Sequence, residues 1–322
     1  MRTITIEDHF TTEAVATANA AVATGAVRRE FPPGVLAKLR ELGEPRIAEL
    51  DAAGIDLQVV SLQAPAVQLL DAATAVPLAR ETNDVLADAV RRRPDRLAGF
   101  ATVATSDPEA AAAELERCVR DLGFKGAFVG GLCQGRFLDE QFFWPLLERA
   151  EALGVPIYLH PAPPPAQIAE CYYGGLAPRV SAVLSTSGWG WHIETGLHAL
   201  RLIVAGVFDR FPRLQVVIGH MGEAIPFMQW RIDSTLSPAV TGLQRSVSEY
   251  LRENVWITTS GFFTFPPLLN LLLTVGVDRV IFSVDYPFAS NEAGKAFLDS
   301  LELPQPDLEK IAHGNAERLL NV

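Results

Sequence analysis

The chain has 322 residues, of which 49% are hydrophobic and 20% charged, with 38 Asp and Glu against 27 Lys and Arg for a net charge of −11. That apolar fraction excludes a disordered chain, and the acidic balance disfavours nucleic acid or an anionic membrane as partner. A small anionic substrate stays compatible, because a bound cation can dominate one pocket locally.

Eight short apolar runs read as strands: Thr3–Glu7, Leu57–Leu62, Leu97–Val103, Gly126–Val129, Pro156–His160, Gln215–Gly219, Val255–Thr259 and Val280–Val284. They are rich in Val, Ile, Leu and Phe, as parallel strands buried on both faces should be. Helical patterns fall between most of them, clearest over 77–93, 107–122, 140–153, 194–210 and 263–275. In "SDPEAAAAELERCVRDLG", Ser106 or Asp107 can cap, Pro108 suits the first turn and Gly123 ends the helix. Strand–helix repeated eight times predicts an α/β fold, a (β/α)8 TIM barrel, as a single domain over residues 1–322. A doubly wound sheet would place a glycine-rich phosphate turn after the first strand, and none is present; "VGGLCQG" (129–135) lacks the required spacing.

Two connections exceed ordinary barrel loops, residues 10–45 after the first strand and 161–192 after the fifth. Both leave the carboxyl end of a strand, the face where barrel active sites are built. Cys118, Cys133 and Cys171 are far apart and lack paired ligand spacing, so they read as free thiols. The start of the chain lacks a signal peptide's basic head and apolar core, and no apolar run reaches the ~18 residues of a membrane span. A soluble cytoplasmic protein is expected.

Polar residues interrupt the apolar pattern at four strand ends: Glu7 and His9 in "ITIEDHF", His160 in "VPIYLHP", His220 in "LQVVIGHMGE" and Asp285 in "VIFSVDYPF". Alternation puts Glu7 and His9 on one face and Asp8 on the other, where a solvated or outer carboxylate is expected. One such histidine is more often a hydrogen-bonded core residue. Four strand ends converging on one barrel mouth make a site for a divalent cation of intermediate hardness, zinc or manganese.

These motifs resemble the amidohydrolase superfamily, in its branch of metal-dependent decarboxylases typified by the γ-resorcylate, 2,3-dihydroxybenzoate and aminocarboxymuconate-semialdehyde enzymes. The resemblance spans the chain and rests on Glu7-x-His9 with Phe10, "YLHP" (158–161), "ETGLHALRLIVAGVFDRFPRLQVVIGHMGE" (194–223), "WRID" (230–233), "ITTSG" (257–261) and "FSVDYPF" (282–288). It implies that Glu7, His9, His160 and Asp285 hold one divalent metal ion per subunit, zinc or manganese. His220 then matches the catalytic, usually non-ligating histidine and Glu223 the carboxylate that orients it. Arg231 matches an arginine tied to substrate or site organisation, with a surface salt bridge as the alternative. Glutamate at position 7, where most hydrolases of the superfamily carry histidine, points to the benzoate decarboxylases. The segment 130–143 is shorter than its counterpart in γ-resorcylate decarboxylase, and "HPAPPP" replaces the loop after the histidine, so the substrate itself stays open.

The implied activity is non-oxidative decarboxylation of a phenolic acid such as a dihydroxybenzoate. A metal-dependent hydrolase of a lactone, ester or amide, using metal-activated water, is the alternative, followed by a barrel that only binds aromatic acids or metal. Trp191 and Phe288 are the better candidates to wall a planar substrate, ahead of Trp189 and Tyr172. His192 reads as packing or capping, and His198 and His313 as structural. The expected partners are a small aromatic carboxylic acid and further copies of the chain, as a homodimer or homotetramer.

Overall fold

The computed structural model describes residues 1–22 and 34–322. Eight parallel strands follow one another in chain order: β1 Ile4–Phe10, β2 Leu57–Leu62, β3 in two pieces (Leu97–Gly99 and Ala101–Thr102), β4 Ala127–Gly130, β5 Ile157–His160, β6 Val216–Ile218, β7 Val255–Thr258 and β8 Val280–Ile281. The break in β3 is spanned by the Phe100 N–H donating to the Val60 carbonyl at 2.9 Å. Around the other side, Asp285 N–H donates to Glu7 O at 2.8 Å and His9 N–H to Tyr286 O at 2.7 Å, bringing the chain after β8 onto β1. The expected α/β barrel is what forms.

Two packed layers explain the doubly apolar strands. Ile4, Ile6, Val59, Phe100, Phe128, Tyr158, Val217, Trp256 and Ile281 fill the interior with the C-terminal helix Asn315–Leu320, while Val60, Val129, Leu159, Ile218, Ile257 and Phe282 pack outward. Asp107 caps the helix Pro108–Asp121, accepting from Ala110 N–H at 3.1 Å, with Pro108 at its first position.

Several boundaries differ from the sequence expectation, each for a tertiary reason. β1 runs on to Phe10 because Glu7, Asp8 and His9 are all buried and bonded instead of ending the strand in solvent. The β8 ladder stops at Ile281 because Phe282 N–H donates to Ile311 O and Ser283 N–H to Thr259 Oγ1. The connection after β5 contains helices Ala166–Tyr173 and Pro178–Leu184, and the next helix begins at Gly190, not 194. A Cβ at Gly190 would lie 2.4 Å from Ser185 O, so glycine permits that early start. This helix ends at Val204, where Gly206 takes a left-handed turn before Val207–Arg210. The connection after β1 carries helices Glu13–Val22 and Val35–Leu39; its residues 23–33 lie outside the described residues. Among the described residues no helix is long and apolar enough to cross a membrane.

Candidate metal centre and active site

Simple alternation from Ile4 and Ile6, which face the barrel interior, would turn Glu7 outward. The register between β1 and β2 shifts between Thr5 and Asp8, and the Ile6 and Glu7 N–H groups both donate to Ser283 Oγ, at 2.9 and 2.7 Å. This bulge re-aims the strand, so Glu7 and His9 also point into the mouth. Asp8 points away and is fully buried, the outer carboxylate of the two expected alternatives and not the solvated one. Its Oδ1 accepts from Tyr286 N–H at 3.0 Å, and burial pushes its carboxyl up to about 8.

Candidate ligand atoms of Glu7, His9, His160 and Asp285 all lie within 4.8 Å of one another. His160 Nδ1 is 2.7 Å from the Pro161 carbonyl, a pure acceptor, so that nitrogen carries the proton and Nε2 presents a lone pair. Nε2 faces Glu7 Oε1 at 3.2 Å, and both atoms are buried without a hydrogen bond. His9 Nδ1 lies 3.1 Å from the Ser61 hydroxyl, which can donate or accept, and its Nε2 faces Asp285 Oδ1, also at 3.1 Å. The facing acceptors His160 Nε2 and Glu7 Oε1 need a proton or a cation between them. Burial pushes the His9 imidazole below its ordinary value, which favours the neutral ring, the form that binds a cation. Two imidazoles and two carboxylates, with candidate ligand atoms within 4.8 Å of one another, fit one divalent metal ion.

The remaining contacts hold Glu7 rigidly. Its Oε2 accepts from the Tyr158 hydroxyl and from Thr258 Oγ1, the latter at 2.9 Å. Burial alone would push this carboxyl up, but the imidazoles of His220 and His160 hold it well below the usual carboxylate range. For Asp285, burial is likewise outweighed, by the His220 and His9 imidazoles beside it, and its carboxyl is lowered. The Asp285 side chain is 17% exposed while those of Glu7 and His9 are fully covered, so Asp285 is the more accessible of the two clustered carboxylates. Gly219, at the end of β6, leaves room for this packing: a Cβ there would sit 2.6 Å from Glu7 Oε2.

Behind the cluster, residues 220–224 all have positive φ (52°, 57°, 87°, 52° and 66°), an unusual left-handed run for four non-glycine residues. It brings Glu223 back onto the imidazole three residues earlier, with His220 Nδ1 2.7 Å from Glu223 Oε1. His220 Nε2 then faces Glu7 Oε1 at 3.5 Å and Asp285 Oδ2 at 3.8 Å. Burial opposes its charge, yet the Glu7 and Glu223 carboxylates hold this imidazole well above its ordinary value. His192, expected to pack or cap, places Nδ1 2.7 Å from the other oxygen of Glu223.

A cavity of about 600 Å³ opens beside His220 and His192, walled by Trp189, Ile193, Phe262, Pro266 and Pro267 among others. Trp191, the expected wall, is buried outside that lining and its indole N–H donates to His192 Nε2 at 3.1 Å; its neighbour Trp189 takes the wall. Phe288 lies beside His9, ring centroids 5.9 Å apart. Arg231 is exposed on the helix Ile225–Thr235, its guanidinium 5.7 Å from the Trp230 ring, and is not brought to the cluster. Tyr158 and Thr258 were missed by sequence reasoning. Tyr158, two residues before His160 and so on the same strand face, carried a usable signal; His192 had none beyond its aromatic neighbours.

The sequence pattern of the amidohydrolase family matches residues 38–322. The chain is 37% identical to γ-resorcylate decarboxylase of Polaromonas sp. strain JS666, over 99% of this chain and 98% of that one. It is 41% identical to the decarboxylase orsB of Emericella nidulans, over 90% and 88% of the two chains. In three dimensions it is similar to a dihydroxybenzoic acid decarboxylase from Polaromonas sp. JS666 solved with bound manganese and the inhibitor 2-nitroresorcinol, with a TM-score of 0.91, 36% identity and coverage of 99% and 97%. With the family's pattern across most of its length and these relatives across nearly all of it, the chain belongs to the amidohydrolase family.

Proposed function

We propose that this protein is a metal-dependent non-oxidative decarboxylase of a hydroxybenzoic acid. The observation that carries the reading is the convergence of Glu7, His9, His160 and Asp285, in which the buried acceptors His160 Nε2 and Glu7 Oε1 face each other at 3.2 Å, near an apolar cavity. The relatives support it: they are decarboxylases, and one solved structure holds manganese with a nitrated resorcinol. Manganese is accordingly the ion we assign to Glu7, His9, His160 and Asp285.

Direct loss of CO2 from an arene carboxylate would leave an aryl anion orthogonal to the ring π system, a high barrier. Protonating the carboxyl-bearing carbon first gives a tetrahedral centre; the C–C bond then breaks, its electron pair restores aromaticity and CO2 departs. A cation held by Glu7, His9, His160 and Asp285 would supply charge compensation and a template for the acidic substrate. In our reading Asp285, the partly exposed carboxylate, delivers the proton to carbon. His220, 3.8 Å from Asp285 Oδ2 and oriented by Glu223, returns a proton to it. Phe288 and the cavity wall hold the ring, and the carbon skeleton needs no water-derived nucleophile.

Incubating manganese-loaded protein with 2,6-dihydroxybenzoate and with a lactone panel separates this reading from hydrolysis. CO2 release with formation of the decarboxylated phenol supports it; lactone turnover without CO2 from any phenolic acid overturns it. We further propose one domain over residues 1–322, a cytoplasmic setting consistent with three free cysteines, and a homodimer or homotetramer. Support for assembly comes from Phe227, Trp230 and Leu273, 80%, 76% and 78% exposed on the helices Ile225–Thr235 and Phe265–Thr274, which pack together.

A further inference from the structure

A chain of polar groups runs from Trp191 through His192 to Glu223, and the reaction above leaves its first two members unused. Its direction follows from donor chemistry alone. An indole N–H can only donate, so Trp191 Nε1, 3.1 Å from His192 Nε2, makes that nitrogen the acceptor. His192 is then the neutral tautomer with its proton on Nδ1, and Nδ1 donates to Glu223 Oε2 at 2.7 Å. Glu223 Oε1 is left for His220 Nδ1, also at 2.7 Å. The same assignment denies His192, His220 and Glu223 a cation of their own, although their ligand atoms lie within 4.8 Å, because the facing imidazole nitrogens carry protons.

Glu223 needs that second donor. Its side chain is fully buried on a left-handed backbone, so without His192 one oxygen would have neither water nor protein partner. A carboxylate held at one oxygen only can rotate away from His220 or bind a proton. Held at both, its plane is fixed, and the His220 ring is fixed with it, Nε2 toward Glu7 and Asp285.

We propose that His192 is a positioning residue, which, set in one tautomer by Trp191, locks Glu223 and through it orients His220. This rests on the reading of His220 as the group that serves Asp285.

The test uses the metal-loaded wild-type protein with H192F, H192N and W191F, measuring kcat and KM for CO2 release from 2,6-dihydroxybenzoate together with thermal unfolding. H192F should lose roughly 10–100-fold in kcat with KM held within about threefold. H192N, whose amide N–H can stand in for Nδ1–H, should recover kcat to within about fivefold of wild type. In ¹⁵N-histidine-labelled, zinc-loaded wild type, His192 should show the Nδ1–H tautomer, and W191F should release it toward Nε2–H. The nitrogen spectrum requires no turnover, so a wild type that decarboxylates nothing overturns the proposed reaction while the relay is still decided by the tautomer. His192 found as Nε2–H in wild type, H192F within about twofold of wild-type kcat, or an equal loss in H192F and H192N would each overturn the proposal.

Discussion

Gly219→Ala isolates the demand that the metal centre makes on its surroundings. Gly219 has φ −85° and ψ −169°, a backbone open to any residue, so alanine there carries no conformational penalty. The whole effect falls on Glu7: the new methyl would lie 2.6 Å from Oε2, 2.9 Å from Oε1 and 3.1 Å from Cδ. Ordinary carbon–oxygen contact is about 3.3 Å, so the carboxylate must retreat by roughly 0.7 Å. It cannot do so and keep the Tyr158 and Thr258 hydroxyls on Oε2 with Oε1 facing His160. We expect about 1–3 kcal/mol of lost stability from overpacking and a ~10–100-fold weaker affinity for manganese. Chelator-competition titration reads the affinity and urea unfolding the stability. A double-mutant cycle adds the control: in a Glu7→Ala background the second change should cost almost nothing, because the atoms it strikes are gone. Wild-type manganese affinity in G219A, or the same destabilisation with and without Glu7, would refute this account of the site.

Three further outcomes follow from the geometry. Glu223→Gln replaces one acceptor oxygen with an amide that meets an imidazole N–H head-on; kcat should fall ~10–100-fold while manganese content by elemental analysis stays at the wild-type level. Arg46, 1% exposed, donates to the carbonyls of His9 and Glu41 and to Gln58 Oε1 at 2.6, 2.7 and 2.8 Å, so Arg46→Met should cost about 3–5 kcal/mol in urea unfolding. His198 accepts the Leu138 N–H at 2.8 Å, and burial pushes its imidazole down to about 3. The unfolded chain, with an ordinary value near ~6.5, therefore binds a proton that the folded chain refuses between those limits. The contribution is fully present above that range and is lost as pH falls, by about 2 kcal/mol at pH ~5, a slope that His198→Gln should remove in urea melts across pH.

Strand ends were the legible part. Glu7, His9, His160 and Asp285 could be placed at one mouth because a parallel barrel aligns strand termini, whatever the intervening loops do. Less legible was how Ile6 and Glu7 come to face the same interior, since the bulge depends on Ser283, a residue 276 positions away from Glu7. Whether Asp8 is a solvated or an outer carboxylate was left open for the same reason: its cover, Tyr286 and the buried Arg46, arrives from distant segments. The wall residue shifted from Trp191 to Trp189 because Gly190 starts a helix there, turning consecutive tryptophans to different faces of the turn. Hydrogen-bond direction along Trp191, His192 and Glu223 appears only once Glu223, from the turn after β6, meets two adjacent residues of the helix Gly190–Val204.

The central claim is that one cation, held by these four residues, commits the protein to carboxyl–carbon cleavage. Its most direct test is CO2 evolution from 2,6-dihydroxybenzoate by manganese-loaded wild type, the chelated protein and Glu7→Gln, followed alongside metal content. The account predicts stoichiometric CO2 and resorcinol from the loaded wild type alone, with the metal lost or weakened in E7Q. Undiminished CO2 release from the chelated, metal-free protein, or opening of lactones with no CO2 from any hydroxybenzoate, would contradict it.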